Sequence, residues 1–185
     1  MGGKMSSSRA YPLRYGGGIF LCCIGIGAAL AALTDLTKAN LYLNWGALIG
    51  TLGYVVTWRR SVAWHGRPRV YQYLVLVGVI VLEIAAFAVI AQQPWLQTLS
   101  DYRQQLLVLA IVAVHFMPMY WAFGRWVVAL GIANLLWIVA VAVVPLPVPI
   151  VILVFGSLNI LFGVIMAAPI LGKGPKPSGS DLPSN

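Results

Sequence analysis

The chain has 185 residues, 61% of them hydrophobic and 9% charged, with a net charge of +8. A soluble domain carries about 25% charged residues to cover its surface, so a water-facing exterior is excluded and lipid is the expected solvent. The basic residues lie in short segments between apolar runs, which points to anionic lipid headgroups rather than nucleic acid as the counter-charge.

Residues 1–15 carry Lys4, Arg9 and Arg14 and read as a basic cytoplasmic tail. The first apolar run, Gly16–Leu33, has a small-residue stretch at Ala29-Leu30-Ala31 that resembles a signal-peptidase site. Its length approaches the about 20 residues a bilayer requires, so a retained spanning helix is expected. Cys22 and Cys23 are adjacent inside this run, where disulfide geometry disfavours a bridge between neighbours. They read as small packing residues.

The second run, Leu43–Trp58, is short and contains Gly46, Gly50 and Gly53. Small residues at such spacing let another backbone approach closely, either within the bundle or across a homodimer. Arg59, Arg60, Arg67 and Arg69 follow in a loop suited to lipid headgroups, with His65 among them. The third run, Val70–Ala91, holds Glu83, the only acid within any run. The widest loop, Gln92–Gln105, has room for one or two amphipathic turns.

The fourth run, Leu106–Phe123, contains His115-Phe116-Met117-Pro118. Proline lacks the amide hydrogen that the Val114 carbonyl would accept in a helix, so a kink beside His115 is expected. Broken helix inside a membrane is tolerated where protein or a water-filled cavity satisfies it. The fifth run, Trp126–Val144, and the sixth, Pro149–Leu171, share the pattern Gly-x-x-Asn-apolar-Leu-aromatic, at Gly131–Trp137 and Gly156–Phe162. The match is too brief to establish duplication. It does place a close-approach glycine and an amide, Asn134 or Asn159, on nearly one helix face. Residues 172–185 are rich in Gly, Pro and Ser and read as a disordered cytoplasmic tail.

The expected fold is therefore all-α: an integral membrane bundle of six helices over residues 16–171. With six spans, ten of the twelve basic residues fall on one side, and only Lys38 and Arg103 on the other. The positive-inside rule then puts both termini in the cytoplasm, with the cytoplasmic (inner) membrane as the location. Aromatic residues such as Trp45, Trp58, Trp95, Tyr102 and Trp126 flank the runs, as interfacial belts do.

Polar groups at mid-membrane are expensive and turn inward toward a partner or pathway. Glu83, His115, Asn134 and Asn159 each lie near the middle of a run, and a common depth is expected for all four. Glu83 and His115 form a candidate proton or ligand site, and the alternative is an interhelical hydrogen bond that only locks the bundle. Two histidines and two buried cysteines do not compose a usual zinc site, and His65 is too far from mid-membrane to join His115 at a haem. No nucleophile elbow, HExxH or phosphate loop is present. No metal and no cofactor is expected.

The stretch Ala113-Val114-His115-Phe116-Met117-Pro118, ahead of a tryptophan and another apolar helix, resembles a group of uncharacterised bacterial membrane proteins. These have a His-Phe-apolar-Pro motif in a mid-chain helix. The likeness covers the fourth to sixth runs and implies a six-helix bacterial membrane protein, but no activity. Three functions remain open: a small permease or ligand-binding protein taking a small polar ligand or proton, a structural or regulatory subunit, and a lipid- or isoprenoid-modifying enzyme.

Overall fold

The computed structural model describes residues 11–65 and 67–171. The expectations for Lys4, Arg9 and the tail from residue 172 fall outside these residues, as do the side chains of Arg60 and His65. The regular structure of the described residues is all helical: α1 (Arg14–Leu33), α2 (Ala39–His65), α3 (Val70–Ala91), α4 (Asp101–His115), α5 (Tyr120–Phe123), α6 (Arg125–Val143) and α7 (Val148–Leu171). Short 3₁₀ turns at Leu36–Lys38 and Pro94–Thr98 fill the two wider connections. Four helices, α1, α3, α6 and α7, are long and apolar enough to cross a membrane. Large apolar side chains also dominate the exterior, with Val56, Val143 and Leu82 each more than two-thirds exposed. That surface is stable only against lipid.

The six long helices pack in the order α2, α1, α7, α6, α4, α3. The packing is densest around α1, which lies between α2 and α7. Its glycines explain why. A Cβ on Gly18 would stand 2.6 Å from the Gly163 carbonyl, and one on Gly156 would stand 2.8 Å from the Gly25 carbonyl. The two pairs run in opposite directions along the chain, so α1 and α7 are antiparallel. Seven residues separate the glycines on each helix, which keeps one seam of backbone contact in register.

On its other side α1 meets α2. A Cβ on Gly46 would approach the Cys23 carbonyl to 2.6 Å, Gly50 faces Phe20, and Gly53 faces Ile19. All three α2 glycines are therefore engaged within the bundle, and a homodimer would have to use another face. The second run extends well beyond Leu43–Trp58, to 27 residues. The short reading failed because Asn40, Arg59 and Arg60 dilute the hydrophobicity without interrupting the helix.

The proline acts differently from the simple kink expected of it. Helical bonding stops at His115, and residues 116–119 form turns before α5. The Val114 carbonyl is not freed, because the Met117 amide donates to it at 3.0 Å. A tightened turn thus recovers the bond that Pro118 removes. After α5 the chain reverses at Gly124, whose φ of 85° is one that L side chains rarely adopt. The α3 helix packs mainly against α4 and α5, with a 3.4 Å bond from Gln72 Nε2 to the Trp121 carbonyl.

Candidate ligand site

The antiparallel contacts fix which residues share a level. Gly131 of α6 abuts Ala113 of α4, and Trp137 Nε1 of α6 donates to the Val151 carbonyl of α7. Followed along the helices, these contacts put His115 level with Asn159. Glu83 reaches the same level directly, with its Oε1 3.1 Å from His115 Nδ1. Three helices far apart in sequence thus present a carboxylate, an imidazole and an amide at one depth.

The pair is largely withdrawn from the surface, with side-chain exposures of 14% for His115 and 19% for Glu83. The contact is within ion-pair distance, but it is not aligned as a directed hydrogen bond, and Nδ1 has no other partner. The two groups therefore form a loose pair. A proton placed between them belongs to the pair rather than to either group. His115 also lies against the Phe116 ring, with centroids 4.4 Å apart.

The pair opens on a central cavity of about 570 Å³, to which all seven helices contribute. That volume is typical of sites for small molecules. Along α7 the lining extends from Phe155 to Met166, roughly 16 Å at the rise of an α-helix. Asn159 lies on this wall and donates from Nδ2 to the Phe155 carbonyl of its own helix at 2.8 Å. Thr51 also lines it, with its hydroxyl committed to the Ala47 carbonyl. Apart from Tyr54, the remaining described lining is apolar. Leu21, Phe116, Met119, Phe123 and Val127 contribute to both the lining and the hydrophobic core. Among the described residues no lysine or arginine lines the cavity.

Asn134 does not join this group. It is fully buried but does not line the cavity, and neither its Oδ1 nor its Nδ2 has a hydrogen-bond partner. The helix register sets it about five residues from the Glu83 level, or roughly 7 Å. The repeated Gly-x-x-Asn pattern thus serves two ends. Gly131 admits α4, Gly156 admits α1, and only the second amide reaches the cavity. The pattern fixes the position of each amide on its own helix, whereas the partner helix decides what that amide meets. The cavity's aromatic lining, including Phe20, Phe123 and Phe155, has no signature in the sequence. In runs apolar on every side, no periodicity separates an inward phenylalanine from one facing lipid.

The other candidates fall into place around this centre. Arg59 lies near the C-terminal end of α2 and Arg67 and Arg69 in the α2–α3 connection, and none of the three lines the cavity. Among the described residues no group of three metal-ligating side chains comes together. Cys22 and Cys23 are unbridged, and Cys22 Sγ lies 3.6 Å from the Ile160 carbonyl across the α1–α7 seam. Comparison with family models, curated proteins and solved structures gives no match.

Proposed function

We propose that this is a multi-pass protein of the cytoplasmic membrane that binds a ligand in its central cavity and acts as a small permease. In this reading six segments span. To the four long apolar helices are added α2 and the broken α4–α5 segment, with both termini in the cytoplasm. Glu83 and His115 form a proton-responsive pair against which the ligand docks, and Asn159 orients it. The observation that carries the reading is the pair's position on the wall of a 570 Å³ cavity. A bundle in which these residues served only as packing would close on itself there, because an empty space of this size forfeits dispersion contacts on every side.

The test is uptake or binding by the full chain in proteoliposomes across a pH series, with Glu83→Gln as the variant. The substitution keeps shape but removes the ionisable group, so ligand binding should persist in weakened form while its pH dependence flattens. Unchanged uptake with an unchanged pH profile would refute the role given to Glu83. A second reading, an acid–base enzyme acting on a lipid, draws support from the same carboxylate–imidazole pair. It differs in requiring turnover of the bound molecule into a new product.

A further inference from the structure

We propose that the cavity takes an uncharged, single-headed lipid: one apolar chain ending in a hydroxyl or carbonyl, with its head at Glu83 and His115, entering from the bilayer between α2 and α3. This rests on the ligand-binding reading above and names the ligand's class and route. It also replaces the small polar ligand expected from the sequence.

The shape supplies the first argument. Glu83, His115 and Asn159 share one level, while Met166 lies seven residues further along α7, roughly 10 Å beyond it, with Thr51 and Tyr54 the only other polar residues among the described lining. That stretch is lined mainly by apolar side chains, and it matches a molecule with one polar end better than one polar throughout. Transferring a polar body into it would leave hydrogen-bonding groups without partners, at a cost that apolar contact does not repay.

Charge supplies the second argument. A phosphate or carboxylate head calls for arginine, lysine or several aimed amides. Among the described residues His115 is the one basic side chain on the lining, and it is already paired with the Glu83 carboxylate; no lysine or arginine is there to receive an anion. The Glu83–His115 pair puts a carboxyl oxygen and an imidazole nitrogen side by side. It offers a donor and an acceptor at once, which suits a hydroxyl or a carbonyl.

The route follows from helix order. Every neighbouring pair along the series from α2 to α3 is packed, but α2 and α3 do not close the ring with comparable contact. Trp58 and Tyr73 meet across the gap, 6.1 Å between ring centroids. Further along, Thr51 of α2 and Ile80 of α3 both line the cavity and are exposed residues. Exposed lining on two helices that are not closely packed together marks an opening, and an opening in the apolar flank of a bundle faces lipid.

The test uses the full chain in nanodiscs and three photoreactive probes: a long-chain alcohol, its phosphate monoester, and a short water-soluble alcohol. Mass spectrometry locates the labelled peptides. The long-chain alcohol should label the cavity-facing residues of α3 and α4, and unlabelled alcohol should compete it away. The other two probes should label at least about tenfold less, the factor equivalent to one lost strong polar contact. Ile80→Trp should reduce labelling without lowering the melting temperature, and Thr51→Phe tests the opposite side of the opening if Ile80→Trp does not fold. Equal labelling by the phosphate ester overturns the uncharged head, and equal labelling by the short alcohol overturns the apolar chain. In both of those cases the ligand-binding reading stands. Labelling confined to lipid-facing positions such as Val77 and Leu82 overturns the proposal. Absence of cavity labelling by all three probes overturns it together with the ligand-binding reading.

Discussion

Asn134 is fully buried with both amide atoms unpartnered, while Glu83 and His115 are paired at 3.1 Å beside a cavity. Their substitutions should therefore have opposite signs. Asn134→Leu removes an unsatisfied polar group at similar volume and should raise stability by about 1–3 kcal/mol, measured by thermal unfolding in detergent. A loss of stability would mean that the amide has a partner. Glu83→Leu leaves the imidazole without its neighbour and should lower stability by about 1–3 kcal/mol in the same measurement. The sequence identified these polar residues, because a polar group in a long apolar run stands out by cost alone. Their grouping was only partly legible. Depth along a run can be counted, but the direction in which a side chain turns depends on which helices are neighbours, and Asn134 turns away from the group that Asn159 joins.

Among the elements, the α1 seam offers a sharp contrast between glycines. Any side chain at Gly25 meets the Gly156 carbonyl at 2.5 Å, and backbone cannot step aside as a flexible side chain can. Gly25→Val should therefore cost about 1–3 kcal/mol by overpacking. Gly78 on α3 has nothing within 4 Å of where a Cβ would be. Gly78→Ala should be neutral or stabilising by up to about 1 kcal/mol, since it removes only backbone freedom. A reversal of this order in thermal melting would contradict the α1–α7 contact. The turn after α1 carries a pH-dependent cap. Asp35 accepts from the Thr37 hydroxyl at 2.6 Å and the Thr37 amide at 2.9 Å, with Lys38 3.5 Å away. The Thr37 bonds first, and Lys38 after them, hold its carboxyl below the ordinary range. A lowered folded value means that the cap stabilises at neutral pH and fails as pH falls through that value. The Thr37 amide resonance should titrate with a midpoint below that of an ordinary aspartate, and Asp35→Ala should abolish the titration. Helix positions were readable because apolar length is a strong signal. The break at residues 116–119 was readable from Pro118. The tightened turn that re-engages Val114 was not, since it depends on the backbone path after the proline.

For the whole molecule, the six-span topology makes a direct prediction. In a background without Cys22 and Cys23, single cysteines at Lys38 and Arg103 should react with an impermeant thiol reagent from one face of sealed vesicles. Cysteines at Arg67 and Arg125 should react only from the other. Labelling of all four from one face would remove the six-span arrangement while leaving the helical fold intact. The glycine seam carries a consequence for biogenesis. The most intimate partner of α1 is α7, the last helix of the described residues to leave the ribosome, so α1 must wait with much of its matching surface unclaimed. During that interval Gly18 and Gly25 offer a bare strip of backbone to any passing helix. Fidelity of assembly then depends on how quickly translation delivers the intended mate, and slowing synthesis ahead of Val148 should increase the yield of mispaired species.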